Sequence, residues 1–416
     1  MRFISIIVCF FIILSLFCGC SDLGAGSVFY SRKGINIDNV NITSARSETV
    51  KMRAMWFSYL DFNSLLKNKS ETEFKAQINT AFDNCLSIGC NTVIVQVRPF
   101  SDALYPSKIF PWSEIISGVQ GTDPQFDPLA IMVFAAHERN MSIHAWINPF
   151  RVSNTPDISR LCDTNPALKW LGNGENVVVL ADSIFYNPAS RDVRTLIIDG
   201  ITEIITNYDV DGIHFDDYFY PDPDESFDDG FYSEYLSSVS SAPLSISDWR
   251  RENINIFIKE VYSAIKSIDP DVLFGISPQG NSFNNYNRQY IDVPFILSHS
   301  GYVDYIAPQI YFGINHSSKP FAATLKKFSD MITVDGISLY AGLAAYKIGT
   351  EDKYAGNGKN EWIENNDILF KQMIITDNFD FCDGFIIFRY NSLFLPASDK
   401  LQAVANELDN IKKSFE

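Results

Sequence analysis

Two adjacent carboxylates, Asp216 and Asp217, are the residues of this sequence with the clearest capacity for chemistry. They end the stretch DGIHFDDYFYP (211–221), in which apolar and polar residues alternate. Strict alternation predicts a short strand with one apolar face and one polar face. Neighbouring carboxylates are costly at the end of a buried strand, so their presence indicates a site that uses negative charge or transfers protons.

Side-chain parity divides the residues of this strand between its two faces. Ile213 and Phe215 suit a layer packed against helices, whereas His214, Asp216 and Tyr218 share the opposite, polar face. Asp216 is therefore the first catalytic candidate. His214 lies deeper in the strand, and we expect it to orient a neighbour by hydrogen bonding rather than to act as a base.

Polar side chains also follow six other apolar runs, at the point where each predicted strand ends. These residues are Arg98 with Asp102, Asn148 with Arg151, Gln279, Gln309 with Tyr311, Tyr346 with Lys347, and Arg389 with Tyr390. The carboxyl ends of parallel barrel strands meet at one mouth, so we expect these side chains to converge there.

The elements that must position these residues alternate between strand and helix. Apolar runs at 53–60, 91–100, 142–150, 211–221, 272–280, 303–313, 337–349 and 383–393 are each followed by a segment with helical periodicity. Eight such units predict an α/β fold, a (β/α)8 TIM barrel. The extra length falls after strands three (151–188) and four (221–247), which predicts extended loops there. An open doubly wound sheet is the alternative, but we find no glycine-rich phosphate loop to support it.

The N-terminus reads as an export signal rather than as part of the barrel. Residues 1–19 contain an apolar run after Arg2, and they end in a small residue before Cys20. This pattern predicts a lipoprotein signal peptide with Cys20 as the lipidated residue, a flexible tether over 20–50 and a catalytic domain over 51–416. The expected location is a bacterial cell envelope, with the lipid anchor as the sole contact with the membrane.

The formal net charge of −17 excludes functions that need a basic surface, above all nucleic-acid binding. Five histidines form no HxH or HExxH pattern, so we predict neither a metal site nor a cofactor. The acidic run PDPDESFDDG (221–230) has oxygen ligands that Ca²⁺ accepts but not the spacing of a calcium loop. A solvated loop is the favoured interpretation of that run.

Eight motifs together resemble the glycosyl hydrolase-like family 10 proteins, and the similarity runs from about residue 51 to residue 395. The motifs are VQVRPFSDALYPS, NPFRV, YNPASRDVR, DGIHFDDYFYP, WRREN, GISPQG, VDYIAPQIYFG and YAGLAAYKIG. The resemblance implies a TIM barrel that hydrolyses glycosides in the bacterial envelope, and some relatives are linked to the glycan strands of peptidoglycan.

The fourth strand also resembles that of chitinase-like family 18 enzymes, which carry the pattern DxxDxDxE. Asp211 and Asp216 match its first and third acids, whereas His214 replaces the second and Tyr218 replaces the glutamate. Residues at the end of the sixth strand resemble those that hold an N-acetyl group in these enzymes.

For a glycosidase, the sequence predicts catalytic roles for Asp216, Asp217 and Asp102. Asp216 is the stabilising, nucleophilic or acetamido-orienting carboxylate, and Asp217 or Asp102 is the acid. The predicted substrate-binding residues are Arg98, Asn148, His214, Tyr218, Gln279, Gln309, Tyr311, Tyr346 and Arg389. A non-catalytic glycan-binding lipoprotein is the rival interpretation, because aromatic and polar side chains at a barrel mouth suit both functions.

Overall fold

The computed structural model describes residues 50–172, 175–221 and 226–413. The predicted signal peptide, Cys20 and nearly all of the predicted tether lie outside these ranges. Among the described residues the strands are β1 (Met52–Phe57), β2 (Thr92–Arg98), β3 (Ser142–Ile147), β4 (Arg151–Ser153), β5 (Val177–Val179), β6 (Ile184–Tyr186), β7 (Gly212–Phe215), β8 (Leu273–Ile276), β9 (Tyr305–Ile306), β10 (Ser338–Ala344) and β11 (Gly384–Phe388).

The helices that separate these strands begin and end as follows. They are α1 (Tyr59–Leu65), α2 (Glu71–Leu86), α3 (Glu114–Ser117), α4 (Pro128–His137), α5 (Arg191–Asn207), α6 (Asp229–Ser238), α7 (Ile246–Ile268), α8 (Ser282–Asn287), α9 (Val293–Leu297), α10 (Phe321–Ser329), α11 (Glu361–Glu364), α12 (Ile368–Asn378), α13 (Tyr390–Phe394) and α14 (Leu401–Lys413). No helix of the described residues is both long enough and apolar enough to span a bilayer.

Eight strands close into a parallel barrel in the order β1-β11-β10-β9-β8-β7-β3-β2, which confirms the predicted (β/α)8 fold. The extended loops after the third and fourth barrel strands are also confirmed. The first loop contains the small antiparallel sheet β4-β6-β5, and the second contains α6. Both loops leave the carboxyl ends of their strands, the end at which TIM-barrel enzymes place their sites.

The barrel separates an inner cluster of side chains from a larger core between the strands and the helices. Trp56, Trp146 and Tyr305 belong to the inner cluster. Ile213 and Phe215 pack in the outer core, where the Phe215 ring stacks on Phe257 of α7 at 5.8 Å between centroids. This is the predicted parity of β7, because its odd-numbered residues face the helices.

Two short helices, α11 and α12, precede β11 in the segment where the repeat predicts helical periodicity after the seventh barrel strand. Asn365, Asn366 and Asp367 separate them. Asparagine and aspartate side chains compete with helical backbone hydrogen bonds, which explains why a helix ends and another begins at this run.

Candidate active site

A cleft of about 500 Å³ opens at the carboxyl ends of the barrel strands. It is lined by Trp56, Ser58, Tyr59, Leu60, Gln96, Trp146, Asn148, Arg151, Asp216, Asp217, Tyr218, Ser277, Gln309, Tyr311, Tyr346, Phe388 and Arg389. Aromatic rings form much of the wall, and the polar groups come from several strands. A concave site with flat apolar walls and convergent polar groups suits a sugar chain.

Asp216 is the carboxyl group of the cleft that retains its proton most strongly. Its side chain is 4% exposed, and the backbone N–H of Tyr218 donates to its Oδ1 at 3.2 Å. Burial, followed by the charge of Asp217, raises the pKa of Asp216 to about 8. A carboxylic acid with that pKa is protonated at neutral pH and is able to donate a proton.

Asp217 is less buried than Asp216 and has a different set of neighbours. Gln279 Nε2 donates to its Oδ2 at 2.9 Å, and Gln309 Nε2 donates to its Oδ1 at 3.0 Å. Burial raises the pKa of Asp217, and the two amides lower it. Because amide donors favour the charged carboxylate, the proton of the pair belongs on Asp216 and the negative charge on Asp217.

The two glutamines are themselves fixed in place. Gln279 accepts at Oε1 from Asn284 Nδ2 at 3.0 Å, and Gln309 Nε2 also donates to the Ser277 carbonyl at 3.0 Å. Both amides are thereby held with their N–H groups towards Asp217. The carboxylate is pre-organised before any ligand enters, which is the arrangement that electrostatic stabilisation requires.

Neither aspartate takes part in an ion pair among the described residues, so the pair does not hold the barrel together as a salt bridge. Arg389 instead donates from Nη1 to Asp61 Oδ1 at 2.8 Å. Arg151 lies in the same cleft and lowers the pKa of both Asp216 and Asp217 through its charge, though less than burial raises them.

His214 lies behind the cleft wall, bonded to the lining residues Trp56 and Ser277. Trp56 Nε1 donates to its Nε2 at 3.1 Å, so we assign the imidazole proton to Nδ1, which lies 2.9 Å from the Tyr305 hydroxyl. Burial lowers the pKa of His214 well below its ordinary value. His214 is therefore neutral and fully buried, an arrangement consistent with an orienting role.

Asn148 presents an unused donor in the cleft wall. Gln96 Nε2 donates to Asn148 Oδ1 at 2.8 Å, and Gln96 Oε1 in turn accepts from the Tyr59 backbone at 2.8 Å. These bonds fix which way the amide of Asn148 points. Its Nδ2 is buried and has no partner among the described residues, which makes it a candidate donor for a ligand oxygen that reaches this wall.

The structure brings most of the sequence-predicted site residues together. Those that line the cleft are Asp216, Asp217, Asn148, Tyr218, Gln309, Tyr311, Tyr346 and Arg389. Gln279 and His214 lie behind the wall, each one hydrogen bond from a lining residue. Arg98 and Asp102 do not line the cleft, and both placements differ from our expectation.

Arg98 is fully buried away from the mouth, over the ring of Phe110 at 4.5 Å. A β-bulge between Gln96 and Arg98 explains the difference. Gln96 pairs with Trp146 of the inner cluster, but Arg98 pairs with Ile147, which faces the helices. The extra residue reverses the parity of the strand end, which turns Arg98 outward.

Asp102 lies in a separate buried environment, where Gln120 Nε2 donates to its Oδ2 at 3.2 Å. Burial raises its pKa to about 6. The segment after β2 folds back onto the strand, with the Leu104 N–H donating to the Val97 carbonyl at 2.9 Å. This reversal carries Asp102 away from the mouth instead of into it.

Several residues of the cleft are not among the sequence-predicted site residues, including Trp56, Gln96, Trp146 and Phe388. Each follows the inward parity of its strand, so extending the alternation from β7 to the other strands was a signal that would have found them. Arg151 is a polar residue after the third predicted strand, but it is not among the predicted substrate-binding residues.

The described residues contain no group of three or more His, Cys, Asp or Glu side chains that would hold a metal ion. Residues 222–225 of the acidic run lie outside the described ranges, so the interpretation of that run stays a prediction.

Comparison with known proteins agrees with this geometry. The family model described as glycosyl hydrolase-like 10 matches residues 51–361. The chain is 37% identical over 320 residues to glycosyl hydrolase YngK of Bacillus subtilis, covering 72% of this chain and 61% of that protein. It is 33% identical over 341 residues to glycosyl hydrolase DigH of Escherichia coli K12, covering 76% of each.

The fold is also shared with a solved structure, the PgaB (BpsB) glycoside hydrolase domain of Bordetella bronchiseptica. The TM-score is 0.56 at 11% identity, over 85% of this chain and 98% of that one. This likeness supports the barrel architecture, while the extent of the sequence similarity identifies the family. The chain belongs to the glycosyl hydrolase-like 10 family.

Proposed function

We propose that this chain hydrolyses O-glycosidic bonds of an envelope glycan, with Asp216 as the general acid and Asp217 as the charged partner. One observation carries the proposal. Two adjacent carboxyl groups lie in an aromatic cleft, and of the two only Asp217 accepts hydrogen bonds from amide side chains of the described residues. Such a difference between neighbouring acids is the usual basis for assigning acid and charge-stabilising roles.

In the first step, the Asp216 carboxylic acid donates its proton to the glycosidic oxygen while the bond from that oxygen to the anomeric carbon breaks. The sugar alcohol leaves with this proton. Positive charge develops at the anomeric carbon, and the carboxylate of Asp217 stabilises it. Water then attacks the anomeric carbon and returns a proton to Asp216, which restores the starting state.

These roles exchange those expected from the sequence, in which Asp216 was the charged group and Asp217 or Asp102 the acid. The different neighbours of the two side chains are the reason for the exchange. Gln279 and Gln309 bond Asp217, and no amide side chain donates to Asp216 within the described residues.

For the substrate we propose a glycan of the bacterial envelope, with peptidoglycan strands as the leading candidate. Two features support this substrate. The N-terminus has an apolar run that ends at Cys20, and the sequence resembles a family in which some members are linked to such strands. Gln309 and Tyr311 both line the cleft, in keeping with the sequence likeness to residues that hold an N-acetyl group. A 2-acetamido group held there would itself be able to stabilise the anomeric carbon.

The test is release of reducing ends from purified N-acetylated glycan strands by the wild-type protein, Asp216→Asn and Asp217→Asn. Both variants should lose at least about 100-fold in turnover, the low end for an acid–base group. Asp409→Asn, an exposed aspartate on α14, is the matched control and should keep full activity. Strands that bind wild-type protein but stay intact would instead establish the non-catalytic glycan-binding alternative.

We further propose that the protein is a lipoprotein attached to a bacterial membrane through Cys20. Cys20→Ala should release it into the soluble fraction of the envelope or into the medium. Membrane association that is unchanged in Cys20→Ala would refute the lipid anchor without bearing on the hydrolase.

A further inference from the structure

Arg151 is a cation in the cleft that the hydrolytic mechanism does not use. It begins β4 immediately beyond the third barrel strand, and its backbone pairs with Phe185 of β6. Its guanidinium carbon lies 4.7 Å from the centre of the Tyr218 ring and 5.0 Å from that of Phe100. Two aromatic rings therefore position this group beside the carboxylates.

The guanidinium of Arg151 has no acidic partner within the described part of the chain. The ion pairs found there include Arg160, Arg194, Arg250 and Arg251 but not Arg151. Its side chain forms no hydrogen bond with any described residue, although it lies in the cleft wall with both aspartates. A guanidinium has five N–H donors, so Arg151 has donors available for a ligand in the cleft.

The second arginine of the cleft, Arg389, already has an acidic partner, because its guanidinium bonds the buried carboxylate of Asp61 at 2.8 Å. Arg151 is thus the unpaired cation among the described lining residues. It lies close enough to Asp216 and Asp217 to affect both, yet beyond ion-pair distance of either.

We propose that Arg151 forms a subsite for a carboxylate carried by a sugar next to the scissile bond, which makes the substrate an acidic glycan. This inference rests on the proposed hydrolytic function. A planar guanidinium matches a carboxylate through two parallel N–H···O bonds.

The test compares an N-acetylated glycan whose alternate sugars carry a carboxylate with the same glycan after reduction of each carboxylate to an alcohol. Wild-type protein should prefer the charged glycan in kcat/KM by roughly 10- to 100-fold, the range for a charge-assisted hydrogen bond. Arg151→Gln should lose that preference, because kcat/KM should fall more on the charged glycan than on the reduced glycan. Arg151→Lys, which retains charge without the planar fork, should fall between them.

Lys327→Gln removes an exposed cation on α10 and is the matched control, which should leave the preference unchanged. Equal use of both glycans by wild-type protein would overturn the carboxylate subsite, as would an equal loss on both glycans in Arg151→Gln. Binding of the two glycans to Asp216→Asn supplies the same comparison without turnover. If wild-type protein hydrolyses neither glycan, the proposed function fails, while the binding preference still decides the role of Arg151.

Discussion

Replacing Asp216 with asparagine should abolish activity and at the same time stabilise the folded protein. The pKa of Asp216 is raised from 3.8 to about 8, so the folded state holds its proton over a range in which the unfolded state has lost it. Stability from this group is fully present below pH 3.8 and is lost as the pH rises through about 8. Asparagine has a similar size but does not ionise, so the stability of the variant does not fall with rising pH through this group.

The magnitude follows from the interval between the two pKa values. Each pH unit above 3.8 removes up to about 1.4 kcal/mol of the free energy of unfolding, because ionisation stabilises the unfolded chain. At pH 7 the accumulated difference is on the order of 4 kcal/mol. Asp216→Asn should therefore have a higher Tm than wild type at pH 7, by several degrees, and a similar Tm near pH 4.

The assay is thermal or chemical unfolding of both proteins at intervals from pH 4 to pH 8, alongside turnover at each pH. Asp409→Asn, on the exposed face of α14, should follow the wild-type curve throughout. A variant that is less stable than wild type at pH 7 would refute the reasoning, because it would mean that the Asp216 carboxylate contributes a stabilising interaction. So would a stability difference that does not change with pH.

Four further predictions follow from other contacts. Turnover should fall as the pH rises through about 8, because the acid form of Asp216 is then lost; a pH–rate profile without an alkaline limb would contradict this. Gln309→Ala removes one of the two amides on Asp217 and should reduce kcat by roughly 10- to 100-fold with little change in Tm, whereas Gln402→Ala on the surface of α14 should do neither. Burial lowers the pKa of His144 from 6.5 to about 4, so stability should fall by up to about 3 kcal/mol as the pH drops from 6.5 to 4, and His144→Gln should flatten that part of the unfolding curve. Arg250→Met leaves the buried carboxylate of Asp228 without its partner and should cost about 3–5 kcal/mol in unfolding experiments, well beyond the effect of Lys327→Met.

The barrel was predictable because its signals are local and repeated. Alternation in 211–221 and the helical period that precedes it recur along the chain, and each repeat is one strand with its covering helix. Even β9, which is only Tyr305–Ile306, was found, because the apolar run around it has the same position in the repeat. The division between α11 and α12 at residues 365–367 was not predictable in the same way, because it depends on a short polar run inside a helical segment.

The cleft was predictable only where a strand keeps its regular parity. Asp216 lies where alternation in β7 places it, but the bulge between Gln96 and Arg98 reverses the end of β2. A bulge depends on pairing with the neighbouring strand, which the sequence of one strand does not specify. The segment after β2 that folds back and carries Asp102 away from the cleft also depends on tertiary contacts.

The choice of acid within the pair was also beyond the sequence. Asp216 and Asp217 are the same residue type at adjacent positions, and only the amides reaching Asp217 from positions 279 and 309 distinguish them. Contacts over such separations are set by the closed barrel. Both carboxylates and both glutamines are predicted site residues, but only their contacts in the closed barrel show which carboxylate the glutamines bond.

The most direct test of the central claim is a structure of Asp216→Asn with an uncleaved glycan bound across the cleft. The proposed mechanism predicts the side chain of residue 216 within hydrogen-bonding distance of the scissile glycosidic oxygen, about 2.6–3.2 Å, and the carboxylate of Asp217 beside the anomeric carbon. A glycan whose scissile oxygen lies nearest to a different carboxyl group, or one bound with no glycosidic oxygen near residue 216, would contradict it.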